Sequence, residues 1–402
     1  MDNIIDKYLP RKEEANVGLF CDAFPPVMDG VAVCMENYAK WMQKMAGGVK
    51  VITPNVPEAD YSKLDYDVLD YLSVPVPKRH PYVTGIAEID PRFIAKISKI
   101  RFKIVHAHCP FASGMAALRL AKLQGIPCVA TFHSKYRDDF SRVLPSMIVD
   151  GIIKYIIDFY EKADLVWVPQ ESVIDVIREY GFKGHVEVMD NGSDLVADYP
   201  EKFFVDARNE LGIKPEEFVL LFVGQHIWEK NPRLIIEALA NMGDVPFRMY
   251  FVGTGYAAED MKALVTEKGL DNKVTFVGNI TERERLTKYY AASDLFLFPS
   301  LYDNAPLVVR EAAALHTPAV MAEGSTAATI LTDGENGFLV KNDPAEMEAL
   351  LRKLIADPER VHRVGVQASH SIVRSWEDCV GEALDRYNML LKIRNLPTID
   401  RI

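Results

Sequence analysis

The sequence predicts an α/β chain built from two Rossmann-like, doubly wound domains. Three observations carry that expectation. Short apolar runs bounded by turn formers alternate with amphipathic segments at helical spacing, first over residues 17–189 and again over 218–340. An irregular stretch from Leu195 to about Asp206 separates the two series and reads as a linker. The length, 402 residues, exceeds what one core usually supports. Alternation of this kind builds parallel sheets, whose ligands bind outside the carboxyl ends of the strands. The expected arrangement is two domains facing each other across a cleft: residues 1–195, with a return segment 376–402, and residues 196–375.

The first series opens with a strand over Val17–Cys21, the loop Asp22–Gly30 (DAFPPVMDG) and a helix over Val31–Met45. Gly30, at the start of that helix, lets a ligand approach the backbone closely, and a simple tight turn explains it as well. Val49–Thr53 is a second strand, and the proline-rich stretch 54–91 reads as irregular surface excursions. Ile94, Ile97 and Ile100 mark an amphipathic helix whose other face carries Lys96, Lys99 and Arg101, with Lys103 just beyond. A solvated basic face and a patch for anionic lipid head groups both fit that pattern.

Ile104–His108 is a strand that turns His106 and His108 to one face. No carboxylate or cysteine at ligand spacing accompanies them, so no metal site is expected. Pro127–Phe132 is another buried strand, and His133 sits just past its end. That imidazole either serves a ligand at the strand's carboxyl edge or is a satisfied core histidine. Ser141–Lys162 reads as one long, unusually apolar helix that belongs to the core or to a hydrophobic acceptor surface. A strand over Leu165–Pro169, a helix over Ser172–Tyr180, a strand over Val186–Met189 and the turn DNGSD (190–194) complete the series.

The second series begins with a strand over Phe218–Val223, a loop Gln225–Lys230 and a helix over Pro232–Leu239. Arg248–Val252 leads through Gly253 and Gly255 to a helix near Ala258–Lys268, and Val274–Val277 leads through Gly278, Asn279 and Ile280 to a helix ending near Ala292. The chain is organised around LFLFPSLYDNAPLVVREAAAL, residues 295–315. Leu295–Phe298 is a fully apolar strand, Pro306 suits the first turn of a helix, and Ser300–Ala305 lies between them. A strand-to-helix loop of this kind favours an anionic ligand such as a diphosphate at the helix N-terminus. Asp303 in the loop and Glu311 in the second helical turn, eight positions on, could flank that site and read hydroxyls on either side of it. A helix cap and a solvated helix residue would explain the same pair. Pro318–Met321 and Gly337–Val340 are the last strands, and Trp376–Lys392 is a terminal helix placed to pack back across the domain interface.

Composition narrows the classes. With 49% hydrophobic and 26% charged residues the chain is ordinary globular protein. A formal charge of −11 argues against nucleic acid as a partner. Five scattered cysteines form no CxxC pair, so neither a zinc site nor a disulfide framework is signalled and free buried thiols of a reducing compartment are expected. The polar N-terminal residues lack a signal-peptide core, and no apolar run approaches a membrane span. A cytoplasmic protein is expected, with docking on the inner face of a membrane as an extension.

Taken together, these segments resemble the GT-B glycosyltransferases, specifically the large retaining family 4 (glycosyl transferases group 1), from Val17 to about Lys392. The motifs that carry the resemblance are FVGQHIWEKNP (222–232), the glycines 253 and 255, PSLYDNAPLVVREAAA (299–314), DGENGFLV (333–340), DAFPPVMDGV, HAHCP, TFH and DNGSD. TFHSKY is also similar to bacterial members that glycosylate diacylglycerol. The resemblance implies a metal-independent, cofactor-free transfer of a hexose from a nucleoside diphosphate sugar, UDP-linked, to a lipid or cell-surface glycan. It places Asp303 on the donor sugar's hydroxyls, Glu311 on the ribose hydroxyls, Lys230 on the departing diphosphate and His133 near the donor sugar's 6-hydroxyl and the reacting centre. The N–H groups of Leu307 and Val308 assist at the helix start, Asn279 and Ile280 lie near the base, and Gly30, Gln225, Gly253, Gly255 and Asn304 complete the donor-binding set. No separate general base and no metal ligand are implied.

Three positions depart from the family pattern. Gln225 stands where arginine is usual, Asp303 where glutamate is usual and Pro306 where glycine is common. They motivate two alternatives: a non-catalytic sugar-nucleotide-binding protein, and a GT-B sugar-nucleotide epimerase, which needs no acceptor.

Overall fold

The computed structural model describes residues 13–402 apart from 28, 58, 77–81, 196–198 and 244. Its contacts divide the chain into two compact units, one formed by residues up to Asn191 together with Trp376–Ile402 and the other by Gly192–Ser375. Residues 196–198 of the expected linker lie outside the described residues. The remainder of that stretch contains a helix, Glu201–Glu210, rather than irregular chain.

The first unit contains strands β1 (Glu13–Phe20), β2 (Val49–Pro54), β3 (Asp67–Tyr71), β4 (Ser73–Pro75), β5 (Val83–Gly85), β6 (Ile100–Ala107), β7 (Cys128–Thr131), β8 (Leu165–Val168) and β9 (Val186–Val188). One all-parallel sheet runs β3-β2-β1-β6-β7-β8-β9, and β4 and β5 make a separate antiparallel pair. The order reverses at β1 and β6, and their carboxyl ends lead directly into Cys21 and His108. The second unit contains β10 (Val219–Val223), β11 (Arg248–Val252), β12 (Val274–Gly278), β13 (Leu295–Phe298), β14 (Ala319–Ala322) and β15 (Phe338–Val340), all parallel in the order β12-β11-β10-β13-β14-β15. Here the reversal falls at β10 and β13, so the loops after those two strands flank the position where doubly wound sheets bind ligands. Both sheets bury apolar runs on two faces, as parallel strands covered by crossover helices must.

Three local expectations need correction. Strand β3 lies inside the stretch read as irregular. Its sequence DVLDY mixes acids with apolar residues because it is an edge strand, and buried Lys50 pairs with its Asp67 and with Glu13. Ile100 opens β6, and the preceding helix stops at Ile97, so the three-residue spacing of isoleucines spans two elements. The apolar segment 141–162 is divided: a short helix Tyr136–Ser141 precedes Ser146–Tyr160, with Pro145 at the start of the second. As expected, the terminal helix Trp376–Ile393 belongs to the first unit, where Tyr387 stacks on Trp167 with ring centroids 5.4 Å apart.

Candidate functional site

In the second unit, the loop after β10 descends through Gly224 into a tight turn at Trp228–Lys230, and Asn231 in the left-handed region hands the chain to the helix Pro232–Ala240. This presents Lys230 to the loop after β13. Its Nζ lies 2.6 and 2.8 Å from the two carboxylate oxygens of Asp303 and 5.1 Å from the centre of the Phe298 ring. Ser300, fully buried, donates its hydroxyl to Asp303 Oδ2 at 2.6 Å and accepts from the Tyr302 and Asp303 N–H groups. Asp303 is therefore fixed from both sides. Pro306 precedes the helix Leu307–Ala314 and caps it in extended geometry, one position before the first turn. The first N–H groups of any helix lack intrahelical acceptors, so Leu307 and Val308 offer donors beside the Lys230–Asp303 pair.

Glu311 is buried rather than solvated. One carboxylate oxygen takes a 2.9 Å contact from Arg283 and the other accepts the Tyr290 hydroxyl at 2.7 Å. Arg283 also pairs bidentately with Asp194, just past the boundary between the units. Burial opposes the charge on Arg283, but Glu311 and Asp194 outweigh it and hold its pKa above the usual value. Burial, with Glu311 next to it, pushes the Tyr290 phenol well up, so it donates and does not ionise.

Gly253 and Gly255 serve the loops directly. A Cβ on Gly253 would lie 2.0 Å from the Gly224 carbonyl oxygen, and one on Gly255 would lie 2.3 Å from that of His226. The two loops are laced by His226 N–H to Thr254 O and Ala257 N–H to His226 O. The side chain of His226 is buried beside Phe222, Phe251 and Phe276, and burial lowers its pKa to about 4, with Lys262 adding to the effect. Gln225 and Asn279 are exposed, whereas Ile280 and Asn304 are buried.

The first unit carries a different constellation at its strand ends. His106 is satisfied on both ring nitrogens by Tyr387 and Thr131. His108 Nδ1 and His133 Nε2 meet at 3.1 Å, and their rings are stacked. Burial lowers the His133 pKa to about 4. Gly30 begins the helix Gly30–Ala46, is exposed, and has open space where a Cβ would stand.

Glycosyl transferases group 1 match residues 204–370, and Glycosyltransferase Family 4 matches residues 28–196. The chain belongs to this glycosyltransferase family. Among relatives of the transferase, the alpha-monoglucosyldiacylglycerol synthase of Acholeplasma laidlawii is 24% identical over 341 residues, 81% of this chain and 85% of that protein. Among solved structures, the sucrose-phosphate synthase of Thermosynechococcus elongatus aligns with a TM-score of 0.81 at 20% identity, over 95% of this chain and all of that one. Anabaena Alr3699/HepE, solved with UDP and glucose, aligns with a TM-score of 0.75 at 17% identity, over 92% and 99%. The fold of the transferase is thus GT-B. Of the site residues named from sequence, Lys230 and Asp303 meet in the fold, and Glu311 lies buried on the following helix; Ser300, Arg283 and Tyr290, which hold Asp303 and Glu311, were not among them. Ser300, two residues past the strand and three before Asp303, could have been read as the serine of an ST-type turn. Arg283 and Tyr290 carry no local signal, because only the tertiary fold brings them to Glu311.

Proposed function

We propose that this transferase moves a hexose, with retention and without a metal, from a UDP-linked sugar to a lipid or cell-surface glycan acceptor. The observation that carries the reading is the Lys230–Asp303 pair at the N-terminus of the helix Leu307–Ala314. Breaking the bond between the anomeric carbon and the diphosphate leaves positive charge on the sugar and negative charge on the leaving oxygen. Lys230 and the helix-start N–H groups stabilise the latter, the term on which catalysis most often depends. Asp303 accepts from hydroxyls of the donor sugar, and Glu311, held by Arg283 and Tyr290, accepts from those of the ribose. The acceptor hydroxyl attacks the same face, forming the new glycosidic bond and passing its proton to a diphosphate oxygen. His133 contributes beside the sugar's 6-hydroxyl. The UDP and glucose bound to the Anabaena protein and the name of the Acholeplasma synthase support the donor and acceptor classes.

The location we propose is the cytoplasm, with peripheral attachment to the inner membrane face. Among the described residues no helix is long and apolar enough to cross a membrane. Val143, Met147 and Ile148 are exposed, as are Lys96, Lys99 and Arg101, while Lys103 is tied to the Thr398 carbonyl. Co-sedimentation with anionic liposomes that weakens with salt is expected, and no binding at low salt removes the attachment.

Thermal shift against UDP-, GDP- and ADP-sugars, with and without EDTA, followed by product analysis, tests the main reading. A chelator-insensitive rise in Tm with a UDP-sugar and acceptor-dependent product are expected. Stabilisation without donor consumption across a broad acceptor panel indicates a binding protein instead, and an epimerised donor without acceptor indicates an epimerase.

A further inference from the structure

The first unit gathers soft and nitrogen donors at one point. Cys34 comes from the helix Gly30–Ala46, His108 follows β6 and His133 follows β7. One ligand atom from each lies within 4.8 Å of the others. Sequence spacing could not reveal this, since Cys34 is remote from both histidines along the chain and only the switch point of the sheet brings them together. His108 is completely buried, and its Nε2 has no hydrogen-bond partner. Ligation through Nδ1, the nitrogen that meets His133 Nε2, leaves the ring proton on this Nε2.

We infer that Cys34, His108 and His133 bind one divalent ion of the zinc class, with the fourth position open. Tetrahedral zinc has Zn–N near 2.0–2.1 Å and Zn–S near 2.3 Å, which sets ligand atoms roughly 3.3–3.6 Å apart. The two imidazole nitrogens already stand at 3.1 Å. The remaining adjustment is an approach of Cys34 Sγ by at most about an ångström, within the reach of a thiol whose contact to Asn191 Oδ1 is a weak one at 3.6 Å. A thiolate and two imidazoles suit zinc or copper over magnesium or calcium, which take oxygen ligands. The cysteine gives up its thiol proton to solvent when the ion binds. The site is not the transferase's cofactor. On the proposed function, to which this consequence alone is tied, the ion would take His133 out of the reaction and inhibit.

Cobalt(II), a spectroscopic stand-in for zinc, tests the site on the full chain after treatment with a chelator. Wild type should take up one equivalent, show a thiolate-to-cobalt charge-transfer band with the intense visible bands of four-coordinate cobalt, and release the cobalt to zinc. Cys34→Ser should lose the charge-transfer band and weaken zinc binding at least about tenfold in competition with a chromophoric chelator. His133→Gln, at a half-buried position, should lose the same equivalent, which keeps the test decisive if Cys34→Ser does not fold. Cys109→Ser, at the half-buried cysteine outside the cluster, should retain it. A wild type without the band, or Cys34→Ser and His133→Gln that bind as wild type does, overturns the inference. None of these readouts involves a donor sugar, so they stand apart from the transferase reading.

Discussion

The two units share one architecture and differ in what their sheets hold out at the carboxyl edge. The second unit presents opposite charges in contact: Lys230 with Asp303, and Arg283 with both Glu311 and Asp194. The first presents groups that burial keeps neutral, His106, His108 and His133 beside the thiols of Cys21 and Cys34. A paired ammonium and carboxylate can part so that the cation meets a diphosphate and the carboxylate accepts from a sugar hydroxyl, which leaves neither without a partner. Neutral imidazoles and thiols cannot do that, but they remain available for proton sharing and for soft ions. The same fold thus sets ion pairs at one sheet edge and neutral groups at the other, and the difference arises from side chains rather than topology.

The largest expected effect tests the charged edge. Lys230→Ala should lower kcat about 10²–10³-fold, the usual consequence of removing one preorganised donor from a developing anion. Asp303 would then be left half-buried without its cation, so the variant's Tm must be measured alongside. Unchanged kcat/KM would mean that the diphosphate leaves elsewhere and would break the contrast between the units. Glycines give the next test. Gly253→Ala sets a Cβ against the Gly224 carbonyl at a φ of +131°, and should cost about 3 kcal/mol or fail to fold. Gly30→Ala in the other unit meets nothing within 4 Å and should leave stability unchanged or raised by about 0.5–1 kcal/mol. Loss of activity in Gly30→Ala with a wild-type Tm would assign that glycine to ligand approach, and loss of neither would reduce it to a turn.

How much of this was legible in the sequence follows from which forces act locally. Arg248–Val252 and Leu295–Phe298 were read to the residue, because central parallel strands are apolar throughout and end at Gly or Pro. The edge strand Asp67–Tyr71 was not, since half its surface faces solvent and its acids imitate a loop. Pro145 was the local signal that divides the apolar segment 141–162, and the run of isoleucines and valines obscured it. At the site, Asp303 and Glu311 stood out through their places in a strand-to-helix loop and an early helical turn, whereas Lys230 stood out only through the family resemblance. Their partners are tertiary: Tyr290 reaches Glu311 from 21 positions away and Arg283 from 28. Glycines 253 and 255 were read as donor-binding, and their Cβ positions give a packing reason for them whatever their part in binding.

Glu311→Gln probes the middle of the scale. It keeps the shape but leaves Arg283 with Asp194 alone, and should weaken donor binding and stability by about 2 kcal/mol, the worth of a hydrogen bond to a charged group. Arg283→Met in the same background should then cost less than it does in the wild type, because the two act on one network. Additive losses would show that Arg283 serves Asp194 rather than Glu311.

The smallest effect at neutral pH concerns the imidazole that breaks the pattern, His226, a buried neutral group in the charged unit. Its folded pKa of about 4 lies below the unfolded value near 6.5, so the unfolded chain takes the proton first. Its contribution is complete above pH 6.5, declines as the pH falls, and is gone below about 4. A shift of this size corresponds to at most about 3 kcal/mol across that window. His226→Met keeps the apolar contacts with Phe222, Phe251 and Phe276, and should flatten the pH dependence of stability between 6.5 and 4 by that amount without altering it at pH 8. Denaturant titrations at several pH values would measure it. If the slope persists in His226→Met, acid lability belongs to other groups, His316 of the same unit and the buried histidines of the first among them, and the same substitution at His316 then separates the two sheets.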